Sequence, residues 1–274
     1  MSFFYKACAR MLIYIPSVLS GQSLGKYSLE KDVVYTPADW PEAVRADVYS
    51  LVGSGSAPAV LLIHGGSWAG NDNRYQMRSI AKRLAGRGYV VMNATYRGAP
   101  KWVFPAPVDD LRQALCWMRD NSKELNIDAE RMAVYGYSAG GHLAEMVGFQ
   151  KPPEGLSIRA IIAGATPHDL TLAPDFPVVT VFLGKTFKEQ PELYSMASPM
   201  NNVVPESPPL FIYQGMKDKL VPPEHTYRLI PKLEKNKIRY EIYWLKRRGH
   251  LTTFLFSDNA ICKAIKFLDK ELMP

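Results

Sequence analysis

The sequence predicts an α/β fold, with a mostly parallel central sheet of about eight strands flanked by helices. Strand-like and helix-like segments alternate along most of the chain. Several strand-like segments are short continuous apolar runs, as expected for parallel strands buried on both faces. Parallel neighbours also need crossover connections, and the intervening helices supply them.

Each predicted element has a local signal. Residues 58–63, PAVLLI, form the clearest buried strand because the run is apolar and ends in glycines. The helix at 104–122 is entered through prolines, and its Leu111, Leu115 and Met118 recur on one face. The other predicted strands are 32–37, 45–52, 89–96, 131–135, 158–163, 209–214 and 239–244. The other predicted helices are 72–86, 139–149, 224–235 and 258–271.

Residues 165–205 interrupt this alternation. The stretch contains three phenylalanines and six prolines and is long for a plain connection. We predict a small cap-like insertion over the sheet, with an irregular surface loop as the alternative. The chain as a whole, 1–274, is predicted to be a single domain. Its N-terminal segment, 1–28, is expected to be a covering helix, with a weak export signal as the alternative.

The composition excludes several classes of protein. Of the 274 residues, 47% are hydrophobic and 22% are charged, which is ordinary for a globular domain. No apolar run is long enough for a transmembrane helix. The net charge of +7 is spread along the chain without interleaved aromatics, so no nucleic-acid partner is expected.

We expect a cytoplasmic location, with export as the alternative, and leave a homodimer open.

No cofactor or metal is expected. Cys8, Cys116 and Cys262 lie far apart, and no cysteine or histidine cluster has metal-ligand spacing. The sequence also lacks a dinucleotide fingerprint and a P-loop. The cysteines are therefore predicted to be free thiols.

The segment VYGYSAGGHL, residues 134–143, carries the strongest chemical signal. Ser138 lies between Gly136 and Gly140, directly after a predicted strand and before a predicted helix. This pattern, Gly-x-Ser-x-Gly, is typical of a nucleophile on a sharp turn, where crowding requires residues without Cβ atoms. A small-residue turn without chemistry is the alternative.

Three other strands end in suggestive residues. HGGSW, 64–68, is a glycine turn whose backbone N–H groups, with that of Ala139, could stabilise an oxyanion. Asp218 follows a strand in the position of an orienting carboxylate, with Asp169 and Asp175 as rivals. His250 is predicted in a loop before the last helix. The chain order Ser138, Asp218, His250 predicts a catalytic triad.

The other four histidines have structural interpretations. His64 is predicted to brace the glycine turn by a hydrogen bond, and His142 to pack on the helix behind Ser138. His168 lies beside the insertion, and His225 lies where a helix is predicted to start. None forms a metal-binding pair by spacing.

The chain resembles the α/β-hydrolase superfamily, specifically the HGG-containing serine esterases related to hormone-sensitive lipase, feruloyl and acetyl-xylan esterases, and kynurenine formamidase. The resemblance covers roughly residues 30 to 272, through HGGSW, YVVMNATYR, GYSAGGHLA and QGMKDKLVP among other motifs. It implies a triad of Ser138, Asp218 and His250. It also implies that the backbone N–H groups of Gly66, Ser67 and Ala139 bind the oxyanion.

Two departures bear on the type of hydrolase that the resemblance implies. Ser67 stands where many lipase relatives have a third glycine, and Tyr137 stands where they often have aspartate. Both favour the feruloyl-esterase and formamidase side over a lipase.

The function that the sequence predicts is two-step hydrolysis of short-chain acyl or aryl esters through an acyl-enzyme. Activity is expected to be highest with acyl chains of roughly two to six carbons. The alternatives are an amidase or formamidase, and a hydrolase-fold binding protein without activity. Candidates for an apolar substrate pocket are Trp68, Trp102 and the phenylalanines of the insertion, and a core role is the alternative for these aromatics. These phenylalanines are Phe176, Phe182 and Phe187.

Overall fold

The structure is a computed structural model that describes residues 27–52 and 55–273. Of the segment predicted to be a covering helix or export signal, 1–28, residues 1–26 with Cys8 lie outside the described residues, whereas residues 27 and 28 belong to the first strand. The strands are β1 (Tyr27–Val34), β2 (Arg45–Leu51), β3 (Ala57–Ile63), β4 (Val90–Ala94), β5 (Ile127–Tyr137), β6 (Ile158–Gly164), β7 (Leu210–Gly215) and β8 (Tyr240–Leu245). The helices are α1 (Arg78–Ala85), α2 (Ala106–Asp120), α3 (Ser122–Leu125), α4 (Ala139–Gly148), α5 (Pro177–Leu183), α6 (Pro191–Met196), α7 (Glu224–Lys235), α8 (His250–Leu255) and α9 (Asp258–Leu272).

The eight described strands form one sheet in the order β1-β2-β4-β3-β5-β6-β7-β8. The β1–β2 and β2–β4 pairs are antiparallel, and all pairs from β4 to β8 are parallel. The predicted mostly parallel sheet is therefore confirmed. Because the parallel strands point the same way, the loops that follow β3, β5, β7 and β8 meet at one edge of the sheet.

Helices cover both faces of the sheet and bury an apolar core on each. On one face, Leu84 of α1 and Leu268 of α9 pack with Leu62 of β3. On the other face, Leu115 of α2 and Leu143 of α4 belong to a second apolar core, which also includes residues of α7. The predicted apolar face of α2 is confirmed, because its leucines and Met118 are all buried. No described helix has the length and apolar character that crossing a membrane requires.

The segment 165–205 folds into α5, α6 and two 3₁₀ turns, Leu170–Leu172 and Pro199–Asn201. Phe182 and Tyr194 of this segment are fully buried. Both belong to the same apolar core as α2 and α4. The segment therefore has its own helices and core contacts, and its role as a cap stays a prediction.

Some helix boundaries differ from the sequence prediction. The predicted helix at 72–86 is a 3₁₀ turn followed by α1. The predicted helix at 104–122 begins at Ala106, after Pro105, and is followed by the short α3. The sequence predicts a loop at His250, but His250 is the first residue of α8. The six-residue α8 is too short to show helical periodicity in the sequence, and the Thr252 hydroxyl caps it by accepting from the backbone N–H of Gly249 at 2.9 Å.

A buried ion pair anchors the loop after β4. The guanidinium of Arg97 contacts the carboxylate of Asp110 on α2 at 2.8 Å, and both side chains are almost fully buried. Asp110 also accepts hydrogen bonds from the Arg97 backbone N–H and from Nε1 of Trp40, both at 2.7 Å. Removing the carboxylate would leave a buried cation without compensation.

We expect Asp110→Ala to lower the free energy of unfolding by about 3–5 kcal/mol, measured by urea denaturation at neutral pH. The control Asp120→Ala removes a carboxylate from an exposed pair with Arg119 and should cost less than about 1 kcal/mol. Equal losses in the two variants would contradict the anchoring role of Asp110.

Two buried histidines lie behind the edge of the sheet where the loops meet. His64 donates through Nδ1 to the Gly65 carbonyl at 2.7 Å, as predicted, and stacks on Tyr96. His142 on α4 faces the Ala197 carbonyl through Nε2 at 2.8 Å and accepts from Trp68 Nε1 at 3.2 Å. Burial lowers the pKa of His64 to about 4 and that of His142 to about 3. Both rings are therefore neutral in the folded protein at neutral pH.

These low pKa values predict a loss of stability in acid. Between pH 6.5 and 4 the unfolded chain binds protons that the folded protein does not, so stability falls as the pH falls. For His142 alone, this loss between pH 7 and pH 5 is about 2 kcal/mol. Urea denaturation of His142→Gln should therefore show a pH dependence smaller by that amount. An unchanged pH dependence would contradict the neutral, buried state of His142.

Candidate active site

Ser138 sits on a sharp turn between β5 and α4. Its backbone has φ 56° and ψ −122°, a conformation that residues with a Cβ rarely adopt. The turn is held by the Ser138 N–H, which donates to the Gly164 carbonyl at 2.7 Å, and by the Ser138 carbonyl, which accepts from His142 N–H at 3.0 Å. The turn therefore holds its serine at the edge of the sheet where the loops meet.

The flanking glycines have the steric role that the sequence predicts. A Cβ on Gly136 would overlap the carbonyl of Gly140, and a Cβ on Gly140 would overlap the carbonyl of Ile63. The turn after β5 thus packs directly against the end of β3. Neither position can accept a larger residue without a backbone shift.

The structure brings Ser138, His250 and Asp218 together in one hydrogen-bonded row. Nε2 of His250 lies 2.9 Å from the Ser138 hydroxyl oxygen, and its Nδ1 lies 2.7 Å from Oδ2 of Asp218. The other carboxylate oxygen of Asp218 accepts from the backbone N–H groups of Leu220 and Val221 at 2.9 and 2.8 Å. The Asp218 side chain is fully buried, so its carboxylate is fixed on both oxygens.

Tyr137 fixes the backbone of His250. Its hydroxyl donates to the His250 carbonyl at 2.6 Å, and its ring lies 5.4 Å from the imidazole. Burial, with a smaller effect from the Asp218 carboxylate, raises the pKa of Tyr137 well above its usual value. The hydroxyl therefore stays protonated and remains a donor. This contact gives the departure at position 137 a structural purpose.

The glycine turn after β3 runs along the serine turn. A Cβ on Gly65 would lie 3.4 Å from the Ser138 Cβ. Ser67 and Trp68 have φ values of 58° and 57°, in the left-handed region that non-glycine residues rarely adopt. Within the described residues, the backbone N–H groups of Gly66, Ser67 and Ala139 donate to no protein acceptor. These donors are free to bind a ligand oxygen, and their assignment to an oxyanion stays a proposal.

A small cavity opens beside Ser138. Its volume is about 50 Å³. Ser67, Trp68 and Ala139 reach it, whereas Gly66 does not. The other lining residues, most of them apolar, are Pro167, Asp169, Leu170, Ala173, Phe176, Val178, Val179, Leu220, Val221 and His225.

The structure corrects two of the predicted pocket residues. Trp102 does not reach this cavity. Its indole N–H donates to Glu42 at 2.8 Å, and the Arg97 guanidinium packs on its ring. Trp102 instead lines a separate hollow at the surface. Phe182 is fully buried behind the wall, stacked on Trp68 with ring centroids 4.4 Å apart. Phe182 therefore supports Trp68 and does not line the cavity.

Other aromatic and acidic candidates are also separated by their contacts. Phe176 lines the cavity, whereas Phe187 packs on Tyr194. Asp169, a rival to Asp218, is bound to Thr171 and Arg228 instead of to His250. Asp175, the other rival, is exposed at the surface. The geometry therefore favours Asp218 as the partner of His250.

Sequence reasoning missed several cavity residues. Leu220, Val221 and His225 follow Asp218 along the chain, and their proximity to a candidate catalytic loop was the available signal. Leu170 and Val179 come from the segment 165–205, whose packing no sequence pattern specified. The described residues contain no cluster of three potential metal ligands.

Comparison with solved structures identifies the fold. A truncated carbohydrate esterase from gut microbiota superposes with a TM-score of 0.80 at 20% identity, covering 93% of this chain and 99% of that one. Inhibited esterase B from Lactobacillus rhamnosis superposes with a TM-score of 0.75 at 18% identity, covering 89% and 87% of the two chains. Together with the sheet order, these similarities establish the α/β-hydrolase fold.

Comparison with curated sequences gives relatives that are higher in identity and longer than this chain. Esterase LipQ of Mycobacterium tuberculosis is 29% identical over 181 residues, which are 61% of this chain and 43% of LipQ. Esterase LipC of the same organism is 29% identical over 196 residues, 65% of this chain and 48% of LipC. The chain spans about half the length of these curated relatives.

A family model described as BD-FAE matches residues 47–233, more than half of the chain. The match includes the glycine turn, Ser138 and Asp218, and it ends before His250. The fold and the hydrogen-bonded row of Ser138, His250 and Asp218 agree with this match. Because the match covers more than half of the sequence, the chain belongs to the BD-FAE family.

Proposed function

We propose that this protein is a serine hydrolase that cleaves short-chain carboxylic esters through an acyl-enzyme intermediate. The observation that carries the proposal is the row of hydrogen bonds from Ser138 through His250 to Asp218. The esterase relatives and the family support the same class of reaction. No separate observation favours an amide over an ester.

The proposed reaction begins with attack of the Ser138 hydroxyl on the ester carbonyl. His250 Nε2 lies 2.9 Å from that hydroxyl and takes its proton as the carbon–oxygen bond forms. Nδ1–H of His250 donates to Asp218, which fixes the tautomer and stabilises the cation that results. His250 then gives the proton to the leaving alcohol, and a water molecule hydrolyses the acyl-enzyme by the same steps in reverse order.

The free backbone N–H groups beside Ser138 are proposed to stabilise the oxyanion. Ser67 and Ala139 line the cavity with their N–H groups unpaired. Ala139 is also the first residue of α4, so the positive end of the helix dipole lies there. Removal of one donor of this kind typically lowers kcat by a factor of about 10²–10³. Gly66 does not line the cavity, which favours Ser67 and Ala139 as the donor pair.

The cavity volume supports a short acyl chain. One buried water needs roughly 10–15 Å³ of such space, so about 50 Å³ has room for about four atoms of water size. Most of the residues that line the cavity are apolar, among them Trp68 and Val221. We therefore expect the highest kcat/KM with acyl groups of about two to six carbons, and a steep fall beyond that length.

The first test is the loss of activity on removal of the nucleophile. Ser138→Ala should lower kcat for p-nitrophenyl butyrate by several orders of magnitude, on the order of 10⁶ where the serine acts within an intact triad. Ser195→Ala, which removes an exposed hydroxyl elsewhere, is the matched control and should keep wild-type rates. Comparable rates for wild type and Ser138→Ala would refute the proposal.

The second test concerns the orienting carboxylate. Asp218→Asn should lower kcat by about 10⁴, because an amide at this position favours the wrong tautomer of His250. Asp175→Asn, at the exposed rival position, should have wild-type kcat. Steady-state rates on p-nitrophenyl acetate measure both variants. The reverse ranking would assign the orienting role to Asp175.

Two finer points stay predictions from the sequence. Sedimentation velocity of the purified chain tests for a homodimer. Fractionation of cells that express the tagged full chain tests the cytoplasmic location against export.

A further inference from the structure

The wall of the cavity beside Ser138 contains a buried polar side chain with one unpaired ring nitrogen, that of His225. This residue lies in the first turn of α7, seven residues after Asp218. It is 4% exposed, and it lines the cavity. Most of the neighbouring wall is aliphatic or aromatic, so a polar group there is an exception that calls for a role.

The contacts of His225 determine which ring nitrogen carries the proton. Nδ1 accepts the backbone N–H of Asp169 at 3.3 Å. Within the described residues, Nε2 has no hydrogen-bond partner, and it is not sealed off by surrounding atoms. A neutral ring whose Nδ1 is an acceptor must carry its proton on Nε2. His225 therefore presents a free N–H donor at the cavity.

The ring is neutral under ordinary conditions. Burial lowers the pKa of His225 to about 4, and the positive charge of Arg228 acts in the same direction. The carboxylates of Asp169 and Asp218 oppose this lowering of the pKa only partly. The ring thus offers the cavity a single neutral donor, which suits an uncharged acceptor oxygen better than a carboxylate.

The other deep polar group in the wall is already paired. One carboxylate oxygen of Asp169 accepts from the N–H and the hydroxyl of Thr171, and the other accepts from Arg228 at 2.8 Å. Ser67 also lines the cavity, but its side chain is exposed near the opening. Apart from the backbone N–H groups proposed for the oxyanion, His225 is therefore the buried donor that a group inside the cavity would meet.

The position of His250 indicates which part of the substrate enters the cavity. The leaving alcohol must contact Nε2 of His250 in order to receive a proton. Among the described residues that line the cavity, Ser138, Ala139 and Ser67 are present and His250 is absent. The acyl chain therefore enters the cavity, and the alcohol leaves past His250 on the open side.

We propose that His225 is a specificity-determining residue whose Nε2–H donates a hydrogen bond to an oxygen on the acyl chain. The preferred substrates are then esters of short, oxygen-bearing acyl groups, over hydrocarbon acyl groups of the same size. A hydrocarbon acyl chain would exclude water from the Nε2–H group of His225 without accepting a hydrogen bond from it. The buried donor would then be unpaired, which lowers kcat/KM for that substrate. This inference rests on the proposed esterase function.

Pairs of substrates with matched shapes test the proposal. p-Nitrophenyl methoxyacetate is compared with the butyrate, and p-nitrophenyl levulinate with the 4-methylpentanoate, in wild type, His225→Leu and His225→Gln. The kcat/KM ratio within each pair is normalised to the uncatalysed rates. In at least one pair we expect wild type to favour the oxygen-bearing ester, and His225→Leu to lower the ratio about tenfold.

The glutamine variant distinguishes hydrogen bonding from packing. Its side chain can accept from Asp169 N–H and still present an amide N–H, so we expect His225→Gln to restore most of the ratio. Phe176→Leu changes an apolar wall residue and should alter both members of a pair by the same factor. Because each ratio comes from one preparation, partial misfolding of a variant does not change it.

The outcomes separate this proposal from the function on which it rests. If wild type hydrolyses p-nitrophenyl butyrate in a Ser138-dependent manner but prefers the hydrocarbon ester in both pairs, the role of His225 is wrong and the esterase function stands. Ratios that are equal in wild type and His225→Leu overturn it as well. If no ester is hydrolysed through Ser138, the proposed function itself fails.

Discussion

The backbone conformation of Ser138 is the constraint on which the site depends. A serine at φ 56° and ψ −122° persists only where its surroundings enforce it. Here Gly136 and Gly140 allow the turn to pack against the end of β3, and the Gly164 carbonyl of β6 holds the Ser138 N–H. Contacts with three adjacent central strands, β3, β5 and β6, therefore hold the Ser138 hydroxyl in place. The same contacts stabilise the strained backbone of the turn.

The rest of the site follows from the order of the strands. β3, β5 and β7 end at one edge of the sheet, so the loops after them bring together backbone donors, Ser138 and Asp218. β8 is the neighbour of β7, and α8 after it places His250 between Asp218 and Ser138. Tyr137, next to the nucleophile, also holds the His250 carbonyl. Side chains that are distant in sequence thus meet at one edge of the sheet.

Sequence reasoning reached the sheet and the three side chains because each has a local signal. Apolar runs mark the buried strands, and the glycines around Ser138 mark a turn that no larger residue fits. The cavity wall has no such signal, because it depends on how residues 165–205 fold back onto the sheet. The position of Trp102 cannot be predicted for the same reason, because its contacts with Glu42 and Arg97 are tertiary contacts. The short α8 escaped prediction because six residues do not establish a period.

The central claim is that His250 activates the Ser138 hydroxyl, and covalent labelling tests it most directly. Diethyl p-nitrophenyl phosphate would be reacted with wild type and with His250→Ala, followed by peptide mass spectrometry and a time course of labelling. We expect one phosphoryl group on the peptide that contains Ser138 in wild type, and labelling slower by several orders of magnitude in the variant. Labelling at another residue, or equal rates in the two proteins, would contradict the account.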